Sequence, residues 1–81
     1  MPKIFEWNGY KFLFFSNEGD PLEPCHIHVR KGGNLAKFWV APEVYLDSSW
    51  GLTTKELHTL EKVIEEHKDL IMEKWDEHFN R

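Results

Sequence analysis

The sequence has 81 residues, of which 41% are hydrophobic, 15% aromatic and 30% charged, and its formal net charge is −4. This length predicts one small domain, residues 1–81, that is β-rich over 1–51 and helical over 52–81. We expect a cytoplasmic protein, because we see no membrane-spanning run or signal peptide and the single cysteine excludes an internal disulfide, while the net acidity argues against nucleic-acid binding by bulk charge.

A β-hairpin is predicted near the start of the sequence. Asn8-Gly9 is the preferred pair for a two-residue type I′ turn, and aromatic-rich segments flank it. This turn places Trp7 opposite Tyr10 and, two pairs further, Phe5 opposite Phe12. Because opposed side chains share a face, we assign these four aromatic residues to the core.

Three further strands are predicted before Gly51. Proline, glycine and polar residues mark the connections, and β-branched or aromatic residues mark the strands. We expect strands over 25–30, 35–40 and 44–46, with loops over 16–24 and 47–51.

The remainder of the sequence has helical periodicity. Thr53 and Glu56 match a capping box, with Thr53 as N-cap, and apolar residues then recur at helical spacing as far as Phe79. One unbroken helix would be about 39 Å long, against roughly 17–20 Å for a short-stranded sheet, so we expect a break near His67. The predicted fold class is α+β, with a small antiparallel β-sheet of four to five strands and two C-terminal α-helices packed on one face.

Side-chain alternation predicts a polar face on two neighbouring strands. The odd-numbered residues of the strand over 25–30 are small or apolar, so His26, His28 and Arg30 share the opposite face and look away from the packed interior. In the next strand the same alternation turns Lys37 and Trp39 outward. If these strands pair, the five side chains form one patch in a locally basic part of an acidic protein.

This patch has the residue types of an anion-binding or phosphodiester-cleaving site. His26 and His28 are candidate catalytic residues, because two neighbouring imidazoles can serve as general acid and base near neutral pH. Arg30 and Lys37 are candidate binding residues for a phosphate or carboxylate, and Trp39 for stacking on a base. The alternative is an ordinary solvated strand face, and the pattern leaves open whether the protein is an enzyme.

A metal site is a further alternative. Two histidines separated by one residue on a strand point the same way, and Glu23 is the nearest candidate for a third ligand beside His26 and His28. However, Arg30 and Lys37 are unfavourable neighbours for a cation. We therefore expect no cofactor and keep these three ligands only as a fallback.

The segment Glu23-Pro24-Cys25-His26-Ile27-His28-Val29 resembles the Pro-x-His-x-His-Val signature of a bacterial family, domain of unknown function 4160. Other features of that family recur in the same order over nearly the whole chain. These are Lys37-Phe38-Trp39, Trp50-Gly51-Leu52 leading into a helix with Glu56-Leu57, and Trp75.

The resemblance implies a setting rather than a reaction. Members of this family are often encoded beside another small protein of unknown function, in an arrangement that looks like a toxin–antitoxin pair. It therefore implies a prokaryotic, cytoplasmic component of such a module with a small protein partner, and we add RNA or another anionic ligand from the basic patch. The alternatives are a protein–protein interaction module without catalysis and a His-based metal-binding domain.

Overall fold

The computed structural model describes residues 3–15 and 23–79, where five β-strands precede two α-helices. The strands are β1 (Lys3–Trp7), β2 (Tyr10–Leu13), β3 (His26–Lys31), β4 (Asn34–Trp39) and β5 (Tyr45–Trp50), and the helices are α1 (Thr54–Glu66) and α2 (Lys68–Phe79). The strands form one antiparallel sheet in the order β1-β2-β3-β4-β5. The predicted α+β fold class is confirmed, whereas residues 16–22 of the predicted loop lie outside the described residues.

The first hairpin has the predicted turn and register. Asn8 and Gly9 both have positive φ, 51° and 81°, as a type I′ turn requires. Trp7 pairs with Tyr10 and Phe5 with Phe12, and the rings of that second pair stack with their centroids 4.4 Å apart. A local two-residue turn therefore determines which aromatic side chains enter the core.

The last strand corrects the sequence prediction. Residues 47–50 were expected in a loop, but β5 continues to Trp50. The register shifts between Lys37, which pairs with Ser48, and Phe38, which pairs with Leu46, so Asp47 is the extra residue of a β-bulge. The bulge interrupts the two-residue alternation, and a short polar run that breaks alternation is easily taken for a turn.

The core lies between the sheet and the two helices. Three fully buried aromatic rings, those of Phe12 and Phe38 in the sheet and of Phe14 just after β2, pack in one cluster with apolar side chains of the helices. The helical members of that cluster are Leu60, Val63, Ile64, Ile71 and Trp75.

The start of α1 is tied to the first hairpin through the capping box. The Thr53 hydroxyl accepts the backbone N–H of Glu56 at 3.1 Å, and the Glu56 carboxylate accepts the backbone N–H of Thr53 at 2.9 Å. That carboxylate also accepts the hydroxyl proton of Tyr10 at 2.5 Å. The Thr53 and Tyr10 donors lower the pKa of Glu56, and the same contact with Glu56 raises the pKa of Tyr10.

The expected interruption between the helices is at His67. Its Nδ1 donates to the carbonyl oxygen of Val63 at 2.8 Å, and its ring stacks on Phe5 with centroids 4.4 Å apart. Two short helices thus replace one long one, as the short sheet requires. None of the helices in the described part of the chain is long and apolar enough to cross a membrane.

Candidate binding site on the outer face of the sheet

The five residues singled out by alternation lie on one face of the sheet. Across β3 and β4, His26 pairs with Trp39 and His28 with Lys37, while Arg30 is two positions further along the same strand. Directly opposed residues, and residues two apart on one strand, share a face. We call this the outer face, because the apolar core lies on the other side of the sheet.

Both imidazoles are buried, which corrects the expectation that they look away from the packed interior. His26 has no exposed surface and His28 has 5%. The Phe15 ring stacks on His28 with centroids 3.7 Å apart and an interplanar angle of 6°. The rings of Trp39 and Trp75 lie 5.2 and 5.0 Å from that of His26. Alternation identifies the face of a side chain, but it does not show which aromatic rings cover it.

The contacts of His26 are those of a structural residue. Its Nδ1 donates to the carbonyl oxygen of Pro24 at 3.0 Å, and the carboxylate of Glu23 lies 3.7 Å from the same nitrogen. The His26 and His28 rings meet edge to face at 5.6 Å. General acid–base catalysis requires an imidazole within hydrogen-bond reach of the reacting group; His28 borders an open groove, whereas His26 has no exposed surface.

That groove is a concavity of the outer face. Its volume is about 180 Å³, and it lies over β4 and β5 beside the His28 ring. It is lined by His28, Leu35, Ala36, Lys37, Ser48, Ser49 and Trp50. The groove therefore combines a cation, hydroxyl groups and an indole in one small space.

Asp47, the bulge residue, holds the polar side chains next to this groove. Its Oδ1 accepts the indole N–H of Trp39 at 3.0 Å, and its Oδ2 accepts the hydroxyl of Ser48 at 3.4 Å. The Lys37 ammonium lies 4.0 Å from the same Oδ2 and 4.6 Å from the Trp39 ring centroid, where a cation–π interaction is favourable. Two hydrogen-bond donors and one cation thus converge on a single carboxylate.

Sequence reasoning missed the residues that β5 contributes to this site, of which Trp50, Tyr45 and Asp47 matter most. Trp50 is 75% exposed and lines the groove, Tyr45 is 51% exposed beside Trp39, and Asp47 bridges Lys37 and Trp39. The available signal was the pair of aromatic residues at the ends of 45–50. Strict alternation would put position 45 on one face and position 50 on the other, so the two were not grouped. The bulge at Asp47 shifts the alternation by one residue and places both on the same face.

Positive charge gathers on the outer face, and negative charge gathers on the helices. Arg30 is exposed and pairs with Lys11 on β2, which in turn pairs with Glu6 on β1. In the other direction the same row crosses β4 to Trp50. The helices carry eight acidic side chains and four lysines. The chain is acidic overall, but this part of its surface is basic. Arg30 contributes to it near the end of β3 that is far from His26.

The described residues give no metal centre. Across residues 3–15 and 23–79, no group of three or more His, Cys, Asp or Glu side chains is placed to hold a metal ion. The fallback ligands His26, His28 and Glu23 all lie within those ranges.

Cys25 is expected to be chemically unreactive in the folded protein. Burial, reinforced by the charge of Asp76, raises the pKa of its thiol to about 12, so about one thiol in ten thousand is ionised at pH 8. Alkylation by iodoacetamide, followed by mass spectrometry, should be at least about a thousandfold slower than for free cysteine. Urea should restore the labelling rate of a free cysteine. Fast labelling without urea would show that the Cys25 thiol is not buried in the folded protein.

Comparison with protein families gives one finding. A family model described as a domain of unknown function (DUF4160) matches residues 9–76, which is well over half of the chain. Neither the curated proteins nor the solved structures contain a match. The matched region includes β2 to β5 and therefore the whole of the candidate site.

Proposed function

This chain belongs to the DUF4160 family, and we propose that it binds RNA through the outer face of its sheet, as part of a toxin–antitoxin-like module in a prokaryotic cytoplasm. The observation that carries the proposal is the exposed Trp50 indole, which lines one groove with the Lys37 ammonium. Proteins bind single strands with aromatic rings that stack on bases and cations that follow the phosphates.

The size of the groove favours a single nucleotide of an RNA strand over a large cofactor. Clefts that bury a drug-sized ligand measure about 300–1,000 Å³, whereas this groove measures about 180 Å³. Arg30 and Lys11 extend the positive surface beyond the groove along the row that ends at Trp50. A base on Trp50 with phosphates along this row would use the exposed aromatic and the exposed cations together.

The proposal assigns binding rather than cleavage. An acid–base pair would need both imidazoles at the substrate, and His26 is enclosed by Trp39 and Trp75. His28 borders the groove and can contact a bound base or sugar there. We therefore expect the RNA to be recovered intact after incubation with the protein.

Two variants test the binding surface. Trp50→Ala should weaken binding of a labelled single-stranded RNA of about 12 nucleotides by about 5- to 150-fold, the usual cost of one base–aromatic stack. Lys37→Ala should reduce the slope of log K against log salt by about 0.7, as expected for one lost phosphate contact. Fluorescence anisotropy at several salt concentrations measures both effects.

Lys62→Ala is the matched control, because it removes the same charge from an exposed position on α1. It should leave both the affinity and the salt slope unchanged. If wild-type protein does not bind RNA at about 50 mM salt, or if the Trp50 and Lys62 variants bind equally well, the proposal is wrong.

A second candidate function is docking of a small protein partner without RNA. It is favoured by β5, which forms one edge of the sheet and exposes all six of its residues. Such edges can add a strand from another chain. Co-expression with the product of the neighbouring gene, followed by RNase treatment, separates the two candidates. A complex that survives RNase supports protein docking, and one that dissociates supports RNA binding.

A further inference from the structure

We infer that the cluster around Asp47 is a phosphate subsite, and that the Asp47 carboxylate occupies the place of the phosphate while no ligand is bound. The inference rests on the proposed function in assigning that phosphate to RNA. The geometry of the subsite is independent of that assignment.

The donors around Asp47 are those that a phosphate requires. The Trp39 indole N–H, the Ser48 hydroxyl and the Lys37 ammonium all point to the two carboxylate oxygens, at 3.0, 3.4 and 4.0 Å. A phosphate, like a carboxylate, offers only acceptor oxygens and a negative charge to such donors. The same three groups can therefore hold either anion.

The subsite adjoins the groove. Lys37 and Ser48, two of the three donors, also line the groove together with Trp50. A nucleotide with its base on Trp50 can thus place its phosphate among these donors.

Asp47 can leave this position without breaking the sheet. It is the extra residue of the bulge and has no partner across the β4–β5 ladder. Its side chain is partly exposed. Departure of the carboxylate costs the contacts with the three donors, and a ligand phosphate replaces them.

This exchange makes the subsite selective for polyanions. Inorganic phosphate gains little binding free energy, because its contacts only replace those that the Asp47 carboxylate loses. An RNA chain gains in addition the stack on Trp50 and the charges of Arg30 and Lys11. We therefore expect wild-type protein to bind free phosphate weakly.

Asp47→Ala is the direct test, with inorganic phosphate as the probe. The variant vacates the subsite, so its Kd for phosphate should fall about tenfold or more below that of wild type. The readout is the Trp39 indole N–H resonance in a ¹H–¹⁵N spectrum, which should move on titration. The indole resonances of Trp7 and Trp75 serve as internal references. Uridine monophosphate should move the Trp39 and Trp50 resonances together, and uridine should leave that of Trp39 in place.

Asp69→Ala is the matched control, because it removes the same charge from an exposed position on α2. Equal phosphate binding by the Asp69 and Asp47 variants, or an unmoved Trp39 resonance, would overturn the inference. If Asp47→Ala loses its dispersed spectrum, Asp47→Asn takes its place. It removes the negative charge that competes with phosphate for the three donors, and its Kd for phosphate should again fall below that of wild type. An unchanged Kd would overturn the inference equally.

The inference and the proposed function fail separately. If the Asp47 variant binds phosphate at Trp39 but no form of the protein binds RNA, the subsite is real and its phosphate comes from another molecule. If wild-type protein binds RNA but the Asp47 variant gains no phosphate affinity, RNA binding stands and the subsite is wrong.

Discussion

A protein that carries both His26→Ala and His28→Ala is expected to be strongly destabilised, with much or all of its folding free energy lost. Each imidazole is buried among aromatic rings, with Phe15 against His28 and Trp75 against His26. Deleting one buried ring of this size costs about 2–4 kcal/mol, and deleting both costs more than either alone, although the two costs do not simply add because the rings touch. A domain of this length has roughly 4–12 kcal/mol of stability in total. Circular dichroism and urea titration should show a lost or strongly shifted unfolding transition.

This expectation changes how a catalytic role must be tested. Loss of activity in the double alanine variant would follow from unfolding alone. His28→Phe retains a planar ring to stack on Phe15 and removes both titratable nitrogens. A folded His28→Phe protein should still bind RNA, because it keeps Trp50 and Lys37 and loses only the contact of His28 with the bound base or sugar. If wild-type protein cleaves RNA and this variant does not, the imidazole takes part in the reaction and the binding-only proposal is wrong.

Trp75→Ala is expected to lower the free energy of unfolding by about 3–5 kcal/mol. The Trp75 ring meets Phe14 edge to face at 5.2 Å, lies 4.3 Å from Phe79 and lies 5.0 Å from His26. It therefore joins α2 both to the core and to the first residue of β3. Urea denaturation followed by tryptophan fluorescence and far-ultraviolet circular dichroism measures the change.

Met72→Ala is the control for this substitution, because Met72 lies on the same helix and is more than one third exposed. It should change the free energy of unfolding by less than about 0.5 kcal/mol. If Trp75→Ala costs less than about 1 kcal/mol, then α2 does not pack against the sheet through this ring.

Local patterns were sufficient for the elements whose geometry is set by a few neighbouring residues. Asn8-Gly9 determined both the turn and the Trp7–Tyr10 register, since a two-residue loop leaves one pairing. The capping box located the N-cap of α1 at Thr53. The helix break near His67 followed from comparing the length of a helix with that of a strand.

Local patterns failed where the period of a strand changed. The bulge at Asp47 shifts the alternation by one residue, so β5 did not look like a strand and Trp50 was not considered for the site. Nothing within 45–50 alone reveals the bulge, because it is defined by the pairing with Lys37 and Phe38 on β4.

The sequence by itself determined which residues share the outer face, because alternation along a strand is a property of the extended backbone. His26, His28, Lys37 and Trp39 share one face, as that argument predicted, although both histidines are buried there. Only the tertiary structure decided what covers each residue. The ring of Trp75 comes from a distant helix and that of Phe15 from beyond the neighbouring strand, and together they bury the two histidines. Burial depends on contacts between segments far apart in the chain, and no local period contains that information.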